Sequence, residues 1–113
     1  IDLFARSRRL QVDKITDYIN QTLGPQQSFL MAGDFNDWPQ ELCPILDQKV
    51  QAKEAFRQTH GKLAKSFPHF LPFLCLDRVY FRGLRPMHAE VLNRPPWSRL
   101  SDHLPLLAEF QIS

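Results

Sequence analysis

A short apolar segment that ends in polar residues is the feature that most constrains this chain. Residues 28–37 read Ser-Phe-Leu-Met-Ala-Gly-Asp-Phe-Asn-Asp and follow the pair Gly24-Pro25. The apolar run is too short for a helix and does not alternate with polar residues, which predicts a strand buried on both faces. Asp34 and Asn36 lie two residues apart, so on an extended backbone their side chains project to the same side. The sequence therefore predicts a polar platform at the carboxyl end of a strand, where α/β proteins place ligands.

Length and composition favour a globular domain with a real core. The chain has 113 residues, of which 43% are hydrophobic and 23% charged, and these values are ordinary for a globular protein. The longest apolar run, at residues 70–76, is far shorter than the ~20 residues of a membrane-spanning helix. A net charge of +2 is too small to indicate a nucleic-acid-binding protein. Cys43 and Cys75 form neither a disulfide framework nor a metal-ligand spacing, which fits a reducing, cytoplasmic compartment.

The hydrophobic pattern predicts alternating helices and strands. From about Arg6 to Leu23 apolar residues recur every three or four positions, which predicts an amphipathic helix ended by the Gly24-Pro25 stop. A helix that leads through a short turn into a strand is typical of a layered α/β unit. The other predicted elements are a short helix opened by Trp38-Pro39, a second helix over Ala52–His60, strands over Cys75–Phe81 and His88–Leu92, and a buried terminal strand over Leu104–Ile112.

Asp77 and His103 form the predicted centre of the site. A carboxylate among apolar strand residues is costly unless it has a partner. Asp77 follows Leu76, and Arg78 separates it from Val79. His103 is the natural partner, because a carboxylate on one ring nitrogen fixes the tautomer and leaves the other nitrogen for substrate. We expect an Asp77 oxygen within about 3.2 Å of a His103 ring nitrogen. Arg78 is the rival partner, but as the next residue of a strand it should point to the opposite face.

Oxygen-bearing side chains complete the candidate site. Asp34, Asn36 and Asp102 are hard ligands, which suit magnesium or manganese better than imidazole or thiolate ligands would. Each of the three polar motifs also has an ordinary structural interpretation. Asp34 could form a turn after Gly33, Asp77 could form an ion pair with Arg78, and Ser101-Asp102 could be a helix cap or a turn. The remaining histidines are expected to lie outside the cluster, and they are His60, His69 and His88.

Three short motifs, in their order along the chain, resemble the motifs of a known protein superfamily. They are Gly-Asp-Phe-Asn at 33–36, Leu-Asp-Arg-Val at 76–79 and Ser-Asp-His-Leu-Pro at 101–105. Together with the preceding helix they resemble the carboxyl-terminal motifs of the endonuclease/exonuclease/phosphatase superfamily, which are metal-dependent phosphoesterases with a two-sheet, four-layer α/β sandwich fold. The resemblance covers the whole chain. Residues 3–11 and 66–68 look most like small, poorly characterised bacterial members.

The resemblance implies a role for each motif residue. Asp34 would orient or activate the attacking water and contribute to metal binding, and Asn36 would hold a phosphate oxygen. Asp102 would contribute to binding of the magnesium or manganese ion. His103 would bind the phosphoryl group and take part in proton transfer, with Asp77 orienting its ring. Phosphoester hydrolysis needs such a set because negative charge builds up on the phosphoryl and leaving oxygens.

One part of the superfamily pattern is missing from this sequence. Members carry an asparagine, a metal-binding glutamate and a further histidine in an amino-terminal half, and no matching motif occurs here. We therefore expect residues 1–113 to be the carboxyl-terminal part of a single domain, with apolar sheet surface left uncovered and with weak magnesium binding on its own. The glutamates of the chain lie outside that motif and do not replace the missing ligand, and they are Glu41, Glu54, Glu90 and Glu109.

Two classes of function stay open at this point. The first is a magnesium-dependent phosphodiesterase or phosphatase that acts on nucleic acid, an inositol phosphate or a phospholipid headgroup. The second is a non-catalytic module that keeps the fold and binds phosphate or nucleic acid. Asparagine and glutamate motifs upstream of Ile1 would favour the enzyme. The expected partners are the phosphoester substrate and either the missing half or a second copy of the chain.

Overall fold

The computed structural model describes residues 3–37 and 39–112 as a mixed α/β structure. This confirms the α/β class. The elements in chain order are helix α1 (Leu3–Thr22), strand β1 (Phe29–Asp34), helix α2 (Leu42–Val50), strand β2 (Lys53–Glu54), helix α3 (Ala55–His60), strands β3 (Asp77–Arg82) and β4 (Arg85–Val91), a short 3-10 helix (Trp97–Arg99) and strand β5 (Leu106–Gln111).

The strands form two small antiparallel sheets. One sheet has the order β1-β3-β2 and the other pairs β4 with β5. The ladder between β1 and β3 runs from Phe29 opposite Arg82 to Asp34 opposite Asp77. The carboxyl end of β1 and the amino end of β3 therefore lie side by side. This antiparallel register, and not a set of parallel strand ends, is what brings the first two motifs together.

Both faces of β3 are covered. Neighbouring side chains of this strand point to opposite sides, and each side packs against a different part of the structure. Tyr80 packs into a core cluster with residues of α1 and α2, among them Val12 and Leu46. Val79 and Phe81 pack on the other side, where Phe81 meets Phe110 of β5 with ring centroids 5.1 Å apart. The second sheet thus packs on the first through β3.

The prediction that β1 is buried on both faces is wrong. Phe29 and Met31 pack against the core cluster, whereas Leu30 is 54% exposed and Ala32 is also exposed. Strand β1 is an edge strand with one covered face, and a run of apolar residues does not reveal whether a second layer lies over the other face. The prediction that the terminal strand over Leu104–Ile112 is buried is wrong for the same reason. Strand β5 alternates between half-buried and exposed residues.

Helix α1 and its end agree with the prediction. The helix stops at Thr22, just before Gly24-Pro25, and buries Val12 and Ile19. None of the described helices is long and apolar enough to cross a bilayer.

The helix predicted to open at Trp38-Pro39 begins later. Trp38 lies outside the described residues, and α2 starts at Leu42 because the Asp37 carboxylate accepts hydrogen bonds from the backbone N–H groups of Glu41 and Leu42, at 3.0 and 2.8 Å. Asp37 thus satisfies donors that the start of a helix leaves without a backbone partner.

The other predicted elements shift by a few residues. The helix predicted over Ala52–His60 begins at Ala55, because Lys53 and Glu54 pair with β3 and the Glu54 carboxylate caps α3 by accepting from the backbone N–H of Arg57. Gly61 ends this helix in a left-handed conformation, with φ at 78°, as expected for a glycine stop. The strand predicted over His88–Leu92 is longer and spans β4.

Candidate functional site

His103 lies between two carboxylates at the shared end of β1 and β3. Its Nδ1 atom is 2.6 Å from Asp77 Oδ2, and its Nε2 atom is 3.7 Å from Asp34 Oδ2. The expected contact between Asp77 and His103 is therefore confirmed. An ionised carboxylate has no proton to donate, so Nδ1 carries the hydrogen of this bond and Nε2 is the nitrogen turned toward Asp34.

Ser66 holds the Asp77 carboxylate in place. Its hydroxyl donates to Asp77 Oδ2 at 2.5 Å, and its carbonyl oxygen accepts from the backbone N–H of Leu104, next to His103, at 2.8 Å. The Phe67 ring lies against the imidazole with centroids 4.7 Å apart. Sequence reasoning noted residues 66–68 only as part of a resemblance and assigned them no role. The buried Ser66 is thus a positioning residue that the motif search missed.

Arg78 does not pair with Asp77, as the alternation of strand residues predicts. Its guanidinium points into the opposite face, where Nη1 lies 3.1 Å from Asp37 Oδ2 and 3.0 Å from the Tyr80 hydroxyl oxygen. The side chains of Arg78 and Asp37 are both fully buried. Burial alone would lower the pKa of Arg78, but Tyr80 and Asp37 raise the pKa above its ordinary value, so the guanidinium stays charged.

The Asp37–Arg78 pair ties the first two motifs together. Arg78 Nη2 donates to the Asp37 carbonyl oxygen and to the Cys75 carbonyl oxygen, at 2.7 Å each. Asp37 directly follows Asn36, and Cys75 precedes Asp77 by two residues. The pair therefore fixes the loop after β1 against the start of β3. Sequence reasoning left Asp37 without a role.

The backbone at Asn36 differs from the extended conformation that the prediction assumed. Strand β1 ends at Asp34, and Asn36 has a positive φ of 49°, so the alternation of an extended backbone does not apply to it. The backbone N–H of Asn36 instead donates to Asp34 Oδ1 at 2.8 Å, in the turn that aspartate side chains commonly form. This bond orients the Asp34 carboxylate, and the Asn36 side chain is exposed at the same end of the sheet.

Asp102 is not part of the cluster that the structure brings together. Over residues 3–37 and 39–112, the one group of three or more acidic, histidine or cysteine side chains with ligand atoms within 4.8 Å of one another is Asp34, Asp77 and His103. Asp102 is exposed, and its carbonyl oxygen accepts from the backbone N–H of His69 at 2.7 Å. The sequence places Asp102 beside His103, but neighbouring residues do not have to face the same way.

The remaining histidines lie outside the cluster, as predicted. His60 Nε2 contacts the Ala89 carbonyl oxygen at 2.6 Å, and His88 Nε2 lies 3.7 Å from Glu90 Oε1. Glu54 also has a structural role, since its carboxylate accepts from the backbone N–H of Val79 at 3.1 Å. Burial raises the pKa of Glu54, and that carboxylate faces the core and not the site.

The donor set is compatible with a hard divalent cation. The Asp34 side chain is 45% exposed and can be reached by an ion, whereas Asp77 Oδ2 already accepts from Ser66 and contacts His103. Magnesium commonly uses one or two protein carboxylates and fills its remaining positions with water and substrate phosphate. A cavity of about 340 Å³ lies beside Asp77 and His103 and is also lined by Gly33 and Ser101.

Comparison with known proteins finds relatives without an assigned function. No family model matches the chain, and no solved structure matches it significantly. It is 35% identical over 105 residues to the uncharacterised protein YbhP of Escherichia coli, a match that covers 93% of this chain and 41% of YbhP. It is 33% identical over 115 residues to a UPF0294 protein of Yersinia pseudotuberculosis, covering 98% of this chain and 37% of that protein. The chain thus spans about two fifths of the length of these curated relatives.

Proposed function

We propose that this chain carries part of the catalytic site of a metal-dependent phosphoester hydrolase, a phosphodiesterase or phosphatase like those of the endonuclease/exonuclease/phosphatase superfamily. The observation that carries the proposal is the position of the His103 imidazole, with Nδ1 2.6 Å from Asp77 and Nε2 3.7 Å from Asp34. A histidine fixed by one carboxylate and turned toward a second, exposed carboxylate is an arrangement suited to moving a proton and to binding a phosphoryl oxygen.

In the proposed reaction His103 binds the phosphoryl group through Nε2. When protonated, Nε2 donates to a phosphoryl oxygen, which gains negative charge as the phosphoester bond breaks. Asp77 stabilises the imidazolium and keeps Nδ1 as the donor toward itself, and Ser66 keeps the Asp77 carboxylate from rotating. Asp34 orients the attacking water, and Asn36, in the turn that follows, binds a phosphate oxygen.

Asp34, the exposed carboxylate of the cluster, is the residue that would hold magnesium or manganese. A bound cation would neutralise charge on the phosphoryl oxygens and make a coordinated water more acidic. The proposed finer fold is the two-sheet, four-layer sandwich of the superfamily. It is supported by the packing of the second sheet on β3 through Phe81 and Phe110, with α1 and α2 on the opposite side of β3.

A substrate panel tests this function in the full-length protein. The panel comprises abasic DNA, single-stranded DNA, inositol phosphates and phospholipids, each with magnesium, with manganese and with a chelator. We expect metal-dependent release of product from at least one of them. In Asp34→Asn we expect turnover to fall by about a hundredfold, since the variant loses an oriented anionic group at the reacting centre.

The matched control is Asp17→Asn, which removes an exposed aspartate from α1 and should leave turnover unchanged. If no substrate is hydrolysed while phosphate esters still bind, the non-catalytic binding module is favoured instead. If Asp34→Asn and Asp17→Asn have the same turnover, Asp34 has no part in the reaction.

Metal binding by the 113-residue chain alone should be weak. Among the described residues, the cluster offers two carboxylates, and one of them already binds Ser66 and His103. A single exposed carboxylate does not compete well with water for a cation that dehydrates reluctantly, so we expect no saturable magnesium binding below about 1 mM. Isothermal titration calorimetry checks this, and saturable one-site binding at micromolar magnesium would show that the three side chains are sufficient.

A further inference from the structure

Ser101 is a polar residue of the third motif to which the function proposed above assigns no role. It is exposed, and it lines the cavity of about 340 Å³ that Asp77 and His103 also line. Its Oγ atom accepts a hydrogen bond from the backbone N–H of His103 at 3.2 Å. A serine hydroxyl that accepts from the backbone two residues later is a common turn former, so this bond alone gives Ser101 a structural role.

The hydroxyl of Ser101 also has a hydrogen that the turn does not use. A hydroxyl carries one hydrogen and two lone pairs, and the bond from the His103 N–H takes one lone pair. Over residues 3–37 and 39–112, no protein acceptor is hydrogen-bonded to that hydrogen. The Ser66 hydroxyl differs, because it donates its hydrogen to Asp77. Of these two serines beside the imidazole, Ser101 is thus the one that can donate to a ligand.

The backbone on both sides of His103 is anchored. The Asp102 carbonyl oxygen accepts from the backbone N–H of His69 at 2.7 Å, and the backbone N–H of Leu104 donates to the Ser66 carbonyl oxygen at 2.8 Å. The hydroxyl that accepts from the His103 N–H is therefore held close to the imidazole. A donor whose position is fixed in advance contributes more to binding than one that has to be ordered by the ligand.

A phosphoryl group has more oxygens than one imidazole can bind. A diester has two non-bridging oxygens and a monoester has three, and negative charge is spread over them during the reaction. Among the described side chains that line this cavity, Ser101 and His103 are the two with a hydrogen to donate into it, since the Arg78 guanidinium points into the opposite face of β3.

We propose that the Ser101 hydroxyl donates a hydrogen bond to a non-bridging phosphoryl oxygen of the substrate, next to the oxygen that His103 binds. Ser101 is then a further substrate-binding residue, and this role rests on the function proposed above. The turn supports the role, because accepting from the His103 N–H polarises the hydroxyl and directs its hydrogen away from that N–H.

Binding of inorganic phosphate to the full-length protein tests the contact without any requirement for turnover. The measurement is isothermal titration calorimetry in the presence of magnesium. In Ser101→Ala we expect the dissociation constant to rise about tenfold, because a hydrogen bond to a charged oxygen is lost. Ser101→Thr keeps the hydroxyl and should restore most of the affinity. The matched control is Ser7→Ala, which changes an exposed serine of α1 and should bind phosphate like the wild type.

The variant Ser101→Asp separates donation from the turn. An aspartate carboxylate can accept from the backbone two residues later, so the turn is retained, but an ionised carboxylate has no hydrogen to donate. We expect Ser101→Asp to bind phosphate at least as weakly as Ser101→Ala. Wild-type affinity in Ser101→Asp would show that Ser101 only forms the turn, and the proposal would be overturned.

Phosphorothioate diesters make the same distinction during turnover of a diester substrate. Sulfur accepts hydrogen bonds poorly, so in one of the two diastereomers the hydroxyl has no good acceptor even in the wild type. Ser101→Ala should therefore lose about tenfold in kcat/KM on the oxygen substrate and on the other diastereomer, and little on this one. An equal loss on all three substrates would contradict donation and leave Ser101 a structural role.

The remaining outcomes distinguish the contact from the function. Unchanged phosphate binding and turnover in Ser101→Ala would remove Ser101 from the site and leave the proposed function standing. Absence of both phosphate binding and hydrolysis in the wild type would overturn the function and the contact together. If the wild type hydrolyses a substrate without measurable phosphate binding, kcat/KM of the same variants decides. Circular dichroism establishes that each variant is folded.

Discussion

Replacing Asp77 with asparagine should lower turnover of the full-length protein by about tenfold or more and leave the fold intact. Asparagine has nearly the same shape as aspartate, and its amide oxygen can still accept from Ser66. It has no charge to stabilise the His103 imidazolium. Its amide nitrogen can also turn toward Nδ1, which would favour the tautomer with the proton on Nε2 and remove the basic nitrogen from the site.

The measurement is the steady-state rate on whichever substrate the panel identifies, together with circular dichroism. We expect kcat to fall more than KM rises, because the imidazolium that Asp77 stabilises meets more negative charge on the phosphoryl oxygen as the phosphoester bond breaks than in the bound substrate. Asp47→Asn is the matched control, since Asp47 forms an exposed ion pair with Lys53 at 2.6 Å and lies outside the cluster. Ser66→Ala should have a smaller effect than Asp77→Asn, as Ser66 acts only through the carboxylate. Unchanged turnover in Asp77→Asn would show that the dyad has no catalytic role.

The pairing of Asp77 with His103 could be predicted because it follows from local rules. A carboxylate in an apolar strand needs a partner, alternation directs Arg78 to the other face, and a histidine lies in the next polar motif. The structure has this pairing, with the two side chains 2.6 Å apart. Helix α1 could be predicted for a similar reason, since its apolar spacing and the Gly24-Pro25 stop are both local signals.

The features that could not be predicted depend on contacts distant in sequence. No local sequence pattern near β1 indicates that the face carrying Leu30 is left uncovered by the described residues. Asp37 and Arg78 are 41 residues apart, and each taken alone resembles a surface residue. A signal was nevertheless present, because Asp37 directly follows the first motif and Arg78 lies inside the second. A charge of each sign next to two converging motifs could have suggested an ion pair between them.

The direction of Asp102 and the conformation of Asn36 were also beyond sequence reasoning. The Asn36 prediction assumed that the backbone stays extended after Asp34, and the Asp102 prediction rested on its oxygen ligands and on the resemblance. Asn36 lies beyond the end of β1 in a left-handed turn, and Asp102 uses its backbone to hold residues 68–73 through His69. A motif identifies which residues are close along the chain, and only the backbone conformation decides which side chains converge.

Replacing Arg78 with methionine should destabilise the protein by about 3–5 kcal/mol, the largest stability change that we expect from one substitution. Arg78 makes five hydrogen bonds in the buried face of β3, to Asp37, Tyr80 and the Cys75 carbonyl oxygen. Methionine fills most of the volume but leaves the Asp37 carboxylate buried without a cation. That carboxylate would keep the N–H groups of Glu41 and Leu42, which compensate only part of its charge.

Urea denaturation of the wild type and variants measures this loss. Lys53→Met is the matched control, because it breaks an ion pair whose side chains are about half exposed, and its free energy of unfolding should change by about 1 kcal/mol or less. The double variant Asp37→Asn/Arg78→Met should lose less than the sum of the two single variants, since no buried carboxylate is then left without its cation. Should Arg78→Met fail to fold, Arg78→Lys tests the hydrogen bonds separately from the charge, because it keeps a cation but its ammonium cannot reach all four acceptor atoms at once. A loss of 1 kcal/mol or less in Arg78→Met would show that the Asp37–Arg78 pair does not hold the loop after β1 against β3.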